Sequence, residues 1–233
     1  MKALCAAALT VATLGGTAAQ AATITFNDLT PTIFAGGEEF YSGSGALTSL
    51  GDANGLTGVV VDGTDPNRCD NLTCPSASST YFAALNDGGL NLRDLNGSPL
   101  YLQSLDFAFL APVPMVGQPG GFGQLVLSGT KADGSTLVVR QDFTAANSQG
   151  SWDFTAWNLA GSSFATTAFT SVTLSACLFD NGGSCGNPAS NLAQFAVDNI
   201  SYVTAVPEPT TYALLSLGLG VLSLARRRNA RAA

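Results

Sequence analysis

Short apolar runs, separated by Gly, Ser, Asn and Asp, recur along most of the chain and predict β-strands. In the run 101–110, Leu105 and Phe107 share one parity with Phe109, as expected for a strand with one buried face. Asp133 and Gly134 lie between two further apolar runs, and an Asp-Gly pair in this position favours a β-hairpin. The interior of the chain therefore reads as a series of antiparallel strands.

Other segments extend this pattern. The run 80–85 could pair with 89–92 through a turn at 86–88, and 152–157 is a further strand candidate. Counting in this way gives eight to eleven strands and no interior helix longer than a turn. We therefore expect an all-β fold, a single antiparallel β-sandwich of jelly-roll type.

The N-terminus has the pattern of a secretory signal peptide. Lys2 precedes an apolar stretch, and small residues follow it up to Ala19-Gln20-Ala21. We expect residues 1–21 to engage the general secretion machinery and to be removed by signal peptidase after Ala21. The extracellular β-sandwich domain would then span residues 22–205.

The C-terminus contains a second apolar segment. Pro207 and Pro209 interrupt regular structure, Tyr212–Ala225 carries no charge, and Arg226–Arg228 ends it. As a helix these fourteen residues would span about 21 Å, so only with neighbouring residues and snorkelling arginines could they cross a core of roughly 30 Å. The arginines should stay cytoplasmic, which places the preceding domain outside the cytoplasm.

Residues 206–233 resemble the PEP-CTERM sorting signal of Gram-negative bacteria that produce exopolysaccharide. The residues that carry the resemblance are Val206, Pro207, Glu208 and Pro209, the Leu/Gly-rich run after them, and Arg226, Arg227 and Arg228. The resemblance implies processing near Pro-Glu-Pro by a membrane-bound exosortase. The protein would be held transiently at the inner membrane and then released to the cell surface or outside the cell. The alternative is a plain single-span anchor.

Charge and composition exclude several functions. The expected mature domain has fifteen acidic residues and only four basic ones, Arg68, Arg93, Lys131 and Arg140, a net charge of about −11. Nucleic acid is therefore a poor partner. The chain has no histidine, which removes the common general base and zinc ligand. We expect no enzymatic activity, with a polysaccharide hydrolase as the alternative, although no motif marks the carboxylate pair it needs.

Four cysteines remain once Cys5 is removed with the signal peptide. They are Cys69, Cys74, Cys177 and Cys185, an even number in an exported domain, which favours disulfides. Three connectivities are open, and local pairing, Cys69 with Cys74 and Cys177 with Cys185, is the simplest.

The segment Gln194–Ile200 resembles the signature of the QFxxD-type PEP-CTERM family and the last strand of many carbohydrate-binding jelly rolls. Jelly rolls of this kind often hold a structural calcium ion where the first and last strands meet. The resemblance implies Asp28 and Asp198 as ligands, helped by Asn27 or Asn199, with other oxygens completing the shell. Alternatively, Asp28 caps one strand and Asp198 turns the end of another.

Aromatic side chains are the candidates for glycan contact. Trp152 and Trp157 are the only tryptophans, and a regular strand would place them on opposite faces, one buried and one exposed. Tyr41 and Tyr81 are further options. For any single one of these rings, a place in the core is the favoured alternative. We expect a structural or adhesive protein associated with exopolysaccharide or biofilm, and the alternative is a protein resembling a carbohydrate-binding module.

Overall fold

A computed structural model describes residues 19–65, 73–75, 77–186 and 192–205. The chain divides into two units, and the unit described below spans Gln20–Thr204. Its elements are β1 (Ala19–Ile24), β2 (Thr32–Ala35), β3 (Glu39–Ser42), β4 (Gly45–Leu50), β5 (Leu56–Asp62), β6 (Thr80–Ala84), β7 (Gly89–Asp94), β8 (Leu100–Phe109), β9 (Gly123–Thr130), β10 (Thr136–Asp142), β11 (Thr155–Asn158), α1 (Ser163–Thr166), β12 (Ser171–Phe179), β13 (Cys185–Gly186) and β14 (Phe195–Ala205).

These strands form two sheets. Sheet one has the order β11-β8-β14-β6-β5-β2, with β1 beside β14, and sheet two has the order β10-β9-β12-β7-β4-β3, with β13 beside β12. Each pairing whose register the structure gives is antiparallel. The prediction of an all-β protein built from antiparallel sheets is confirmed.

Aromatic rings join the inner faces of the two sheets. The ring of Phe40 on β3 stacks on Phe34 of β2 with centroids 4.2 Å apart, and it also contacts Phe82 of β6 at 5.6 Å. Phe82 is fully buried. Each ring removes a large apolar area from water, and the hydrophobic effect stabilises the two-layer arrangement by roughly 25 cal/mol for each Å² buried.

The predicted hairpin at Asp133-Gly134 is confirmed. Strands β9 and β10 pair in register from Thr130 opposite Thr136 onward. Gly134 has a φ of 82°, and its N–H donates to the Lys131 carbonyl at 3.0 Å. Only glycine adopts this left-handed conformation without strain, which is why the Asp-Gly signal is informative.

The predicted pairing of 80–85 with 89–92 is wrong. Strand β6 belongs to sheet one, between β5 and β14, whereas β7 belongs to sheet two, between β4 and β12. Asn86 and Asp87 both have positive φ, at 54° and 58°, and their turn carries the chain from one sheet to the other. A short loop with turn residues fits a crossing as well as a hairpin, so the local pattern cannot separate them.

The two predicted sorting segments lie almost wholly outside the described residues. Strand β1 begins at Ala19, just before the cleavage site predicted after Ala21. Within the ranges that the structure describes, no helix is long and apolar enough to cross a membrane. The signal peptide at 1–21 and the helix within 206–233 therefore stay predictions of the sequence.

Candidate functional site

The outer face of sheet two carries a continuous row of mostly polar side chains. Strand β9 alternates between buried and half-buried residues, so Leu125 and Leu127 point inward and Ser128 points outward. Cross-strand pairing then places one residue of each strand in the same row. In order from β10 to β3 these residues are Val138, Ser128, Thr173, Asn91, Thr48 and Glu39.

Hydrogen bonding fixes part of this row. The side-chain amide of Asn91 on β7 donates to the Thr173 hydroxyl on β12 at 2.9 Å. Adjacent strands are about 4.8 Å apart, so the row presents one side chain at each such step across the sheet. The row is therefore rich in hydrogen-bond donors and acceptors.

An exposed aromatic ring lies at the β3 end of this face. Tyr41 is 53% exposed, and it shares a cross-strand register with Ala46 of β4 and Arg93 of β7. The guanidinium of Arg93 donates to the Glu39 carboxylate at 2.5 Å. Ala46 lies between Tyr41 and Arg93 in this register, and Glu39 is two residues from Tyr41 on the same exposed face of β3. We call Tyr41, Ala46, Arg93 and Glu39 the tyrosine cluster.

A pocket of about 220 Å³ lies towards the β10 end of the same face. Arg140 on β10, Val126 on β9 and Ser175 on β12 line it, and they are cross-strand neighbours. Cys177 and Cys185 add a further side. The pocket therefore combines a cation, an apolar floor and a hydroxyl.

The predicted disulfide between Cys177 and Cys185 is confirmed. It joins β12 to β13 with the two Cα atoms 5.5 Å apart. Cys74 is also disulfide-bonded, but Cys69, the partner that the sequence predicts for it, lies outside the described residues.

The structure gives the two predicted calcium ligands different partners. Asp28 accepts from the Ser42 hydroxyl at 2.6 Å and from the Gly43 N–H at 2.8 Å, at the turn that joins β3 to β4. Partial burial raises the pKa of Asp28, but these two hydrogen bonds outweigh it and hold the pKa below its usual value. Asp28 therefore favours its charged form.

Asp198 is buried, with only 3% of its surface exposed. Burial raises the pKa of Asp198, and the charge of Asp106 raises it further. Hydrogen bonds from the Ser79 hydroxyl at 2.7 Å and from the Asn199 N–H at 2.7 Å lower the pKa but do not cancel the rise. No group of three or more His, Cys, Asp or Glu side chains in the described ranges is placed to hold a metal ion. The calcium site stays a prediction.

Sequence reasoning missed Asp106. It lies directly opposite Asp198 in the β8–β14 pairing and accepts from the Asn199 side-chain amide at 2.8 Å. Asn199 has a φ of 49°, at an irregularity in the register after Asp198. Since β8 and β14 are far apart in sequence, nothing local could reveal that these two carboxylates face each other.

The expectation that one tryptophan is exposed is wrong. Trp152 is fully buried and precedes β11, and its indole N–H donates to the Thr144 carbonyl at 2.8 Å. Trp157 is 8% exposed and packs against Phe107 with ring centroids 5.9 Å apart. The two rings lie on different segments, so the argument from a single regular strand fails. Both belong to the core and are closed to a glycan.

Of the two further aromatic options, only one reaches solvent. Tyr81 is fully buried and its ring contacts Phe154 edge-on at 5.3 Å. Tyr41 is the exposed ring, because β3 alternates and its neighbours Phe40 and Ser42 face inward. Tyr41, which the sequence offers as an option, is therefore exposed, whereas its neighbours in the tyrosine cluster come from the structure alone.

Comparison with known proteins identifies the C-terminal segment. The family of the PEP-CTERM protein-sorting motif matches residues 205–229. Among solved structures, the fold is similar to TmCBM61 in complex with β-1,4-galactotriose, with 10% identity, a TM-score of 0.33, and coverage of 69% of this chain and 88% of that one. No curated protein sequence matches the chain. The chain therefore carries a PEP-CTERM protein-sorting motif at residues 205–229, and this motif implies export and processing by an exosortase.

Proposed function

We propose that the mature protein is a non-enzymatic adhesive component of the cell surface that binds exopolysaccharide through the outer face of sheet two. The observation that carries this proposal is the tyrosine cluster, with Tyr41 53% exposed at the end of a polar row. The PEP-CTERM motif supports it, because a motif that implies export would bring the domain outside the cytoplasm, where it could meet an exopolysaccharide.

The chemistry of the face suits a glycan chain. A sugar ring has an apolar C–H face, which stacks on an exposed aromatic ring, and a rim of hydroxyls that need donors and acceptors. Tyr41 offers the ring, and Arg93, Glu39 and Asn91 offer the polar groups. An extended chain lying across the strands would meet a new side chain at each step of about 4.8 Å.

A glycan array with the exported, processed protein tests the proposal. We expect Tyr41→Ala to abolish binding, since it removes the stacking surface but no core contact. Tyr101→Ala is the matched control, because Tyr101 is a half-buried tyrosine on β8 of the other sheet. Equal binding by wild type and Tyr41→Ala would refute the proposed face.

The same face would serve a carbohydrate-binding module, and the array separates the two roles. Selective binding of one glycan indicates a recognition module, and comparable binding of many glycans indicates a general matrix adhesin.

The proposal includes the absence of catalysis and membership of the QFxxD-type group. Asp106 and Asp198 are cross-strand neighbours, but Asp198 is 3% exposed and both carboxylates accept hydrogen bonds, which does not suit this pair to the work of a hydrolase. Gln194 and Phe195 of the QFxxD segment are also buried. These burials support a structural role for the signature.

A further inference from the structure

The pocket at the β10 end of sheet two is separate from the tyrosine cluster. Arg140 and Ser175 lie two strands apart on the same face, with Val126 between them in the cross-strand register. The pocket volume of about 220 Å³ lies below the range of roughly 300–1,000 Å³ typical for drug-sized ligands. It therefore has room for one small unit and not for a large ligand.

Two sides of the pocket are fixed before any ligand arrives. The disulfide between Cys177 and Cys185 holds β13 against the end of β12. Asp87 projects from the turn between β6 and β7, and its Oδ1 accepts from the Ala193 N–H at 2.8 Å. A wall that is already ordered loses little conformational entropy on binding, which favours affinity.

The pocket also holds a cation that no described carboxylate pairs with. Arg93 forms its salt bridge with Glu39. Arg140 makes no salt bridge with any residue in the described ranges, although the expected mature domain has fifteen acidic residues and only four basic ones. A planar guanidinium above an apolar floor is suited to bind a carboxylate through two parallel hydrogen bonds.

We propose that this pocket binds one carboxylate-bearing sugar, a uronic acid unit of an acidic glycan. Arg140 binds the carboxylate, Val126 contacts the C–H face of the ring, and Ser175 and Asp87 bind ring hydroxyls. The choice of a sugar over another carboxylate rests on the proposed function. Asp87, an acceptor, lines the same pocket as Arg140, which favours a ligand that carries both hydroxyls and a carboxylate.

The test is an NMR titration of the exported, processed protein with methyl β-glucuronide and, separately, with methyl β-glucoside. The two ligands differ only at C6, where one has a carboxylate and the other a hydroxymethyl group. We expect the glucuronide to bind at least tenfold more tightly and to shift the resonances of Val126 and Ser175. Arg140→Gln should remove that preference, and Lys131→Gln, which removes a positive charge at the β9–β10 turn outside the pocket lining, should retain it.

Three results would overturn the inference. They are equal affinity for the two glycosides, an unchanged preference in Arg140→Gln, and displacement of the glucuronide by acetate at equal concentration, which would mean that the sugar ring contributes nothing. The glycan array with Tyr41→Ala reports on the other end of the face. Loss of array binding in Tyr41→Ala with no glucuronide preference would keep the proposed function and reject this pocket.

Discussion

At the scale of single residues, the least expected feature is a pair of carboxylates that face each other on sheet one. Asp198 and Asp106 are direct cross-strand neighbours, and Asp198 is almost completely buried. Like charges in this position destabilise a sheet, and burial disfavours the charged form further. Hydrogen bonds from Ser79 and Asn199 compensate in part.

We predict that Asp198→Asn stabilises the protein at pH 7. The folded-state pKa of Asp198 is raised, mainly by burial, so the folded protein is favoured below the unfolded pKa of about 3.9 and loses stability as pH rises through the folded pKa. The amide side chain that replaces Asp198 does not ionise, so the variant does not lose this stability as pH rises. We expect a gain on the order of 1 kcal/mol, or about 2–4 °C in melting temperature, that shrinks towards pH 3.

Two controls complete this experiment. Asp142→Asn changes an exposed aspartate on β10 and should shift the melting temperature little. Adding calcium and then chelator tests the predicted metal site. If Asp198 holds calcium, Asp198→Asn lowers the melting temperature in calcium, and chelator lowers that of the wild type, because a ligand that binds only the folded state stabilises it. If Asp198→Asn lowers the melting temperature at neutral pH even in chelator, the argument from charge repulsion is contradicted.

At the scale of elements, the Cys177–Cys185 disulfide constrains one end of sheet two. Cys177 and Cys185 are eight residues apart and tie the two-residue strand β13 to β12. A loop of this length removes about 2.5 kcal/mol of chain entropy from the unfolded state in the entropic model. The same bond forms one side of the Arg140 pocket.

We predict that the double variant Cys177→Ser with Cys185→Ser loses about 2–3 kcal/mol of unfolding free energy. It should also weaken glucuronide binding, since β13 is then no longer held in place. Urea unfolding measures the first effect and the NMR titration the second. Val116→Ser, at a 72% exposed loop residue, is a control for general surface changes. A stability equal to wild type would show that β13 is held by other contacts.

Prediction from sequence succeeded where the signal was local. The β9–β10 hairpin and the Cys177–Cys185 bond each depend on residues close together in the chain, and both are confirmed. It failed where partners are distant in sequence. Neither the sheet change between β6 and β7 nor the position of Asp106 opposite Asp198 leaves a local pattern, and Trp152 is buried by packing that strand periodicity does not encode.

At the scale of the whole molecule, the sorting motif at 205–229 defines what happens to the chain after synthesis. We predict that the exported protein lacks Arg226–Arg228, because exosortase processing near Pro207-Glu208-Pro209 removes the basic end. Intact-mass measurement of the surface-released protein checks this directly. Replacing Glu208 by Gln should slow processing, and a mass that retains the three arginines in the wild type would contradict it.

The sorting motif and the sandwich act at different stages. The motif matches 205–229, and the tyrosine cluster lies within the compact unit of Gln20–Thr204. In this account, export delivers the domain, and Tyr41 with its neighbours retains it on polysaccharide.

The most direct measurement is the fraction of exported protein that cells retain in their exopolysaccharide, compared between wild type and Tyr41→Ala, with Tyr101→Ala as control. The account predicts retention of wild type and of the control, release of Tyr41→Ala into the medium, and release of all three from a host that makes no exopolysaccharide. Equal retention of Tyr41→Ala and wild type would contradict the claim that the outer face of sheet two binds the matrix.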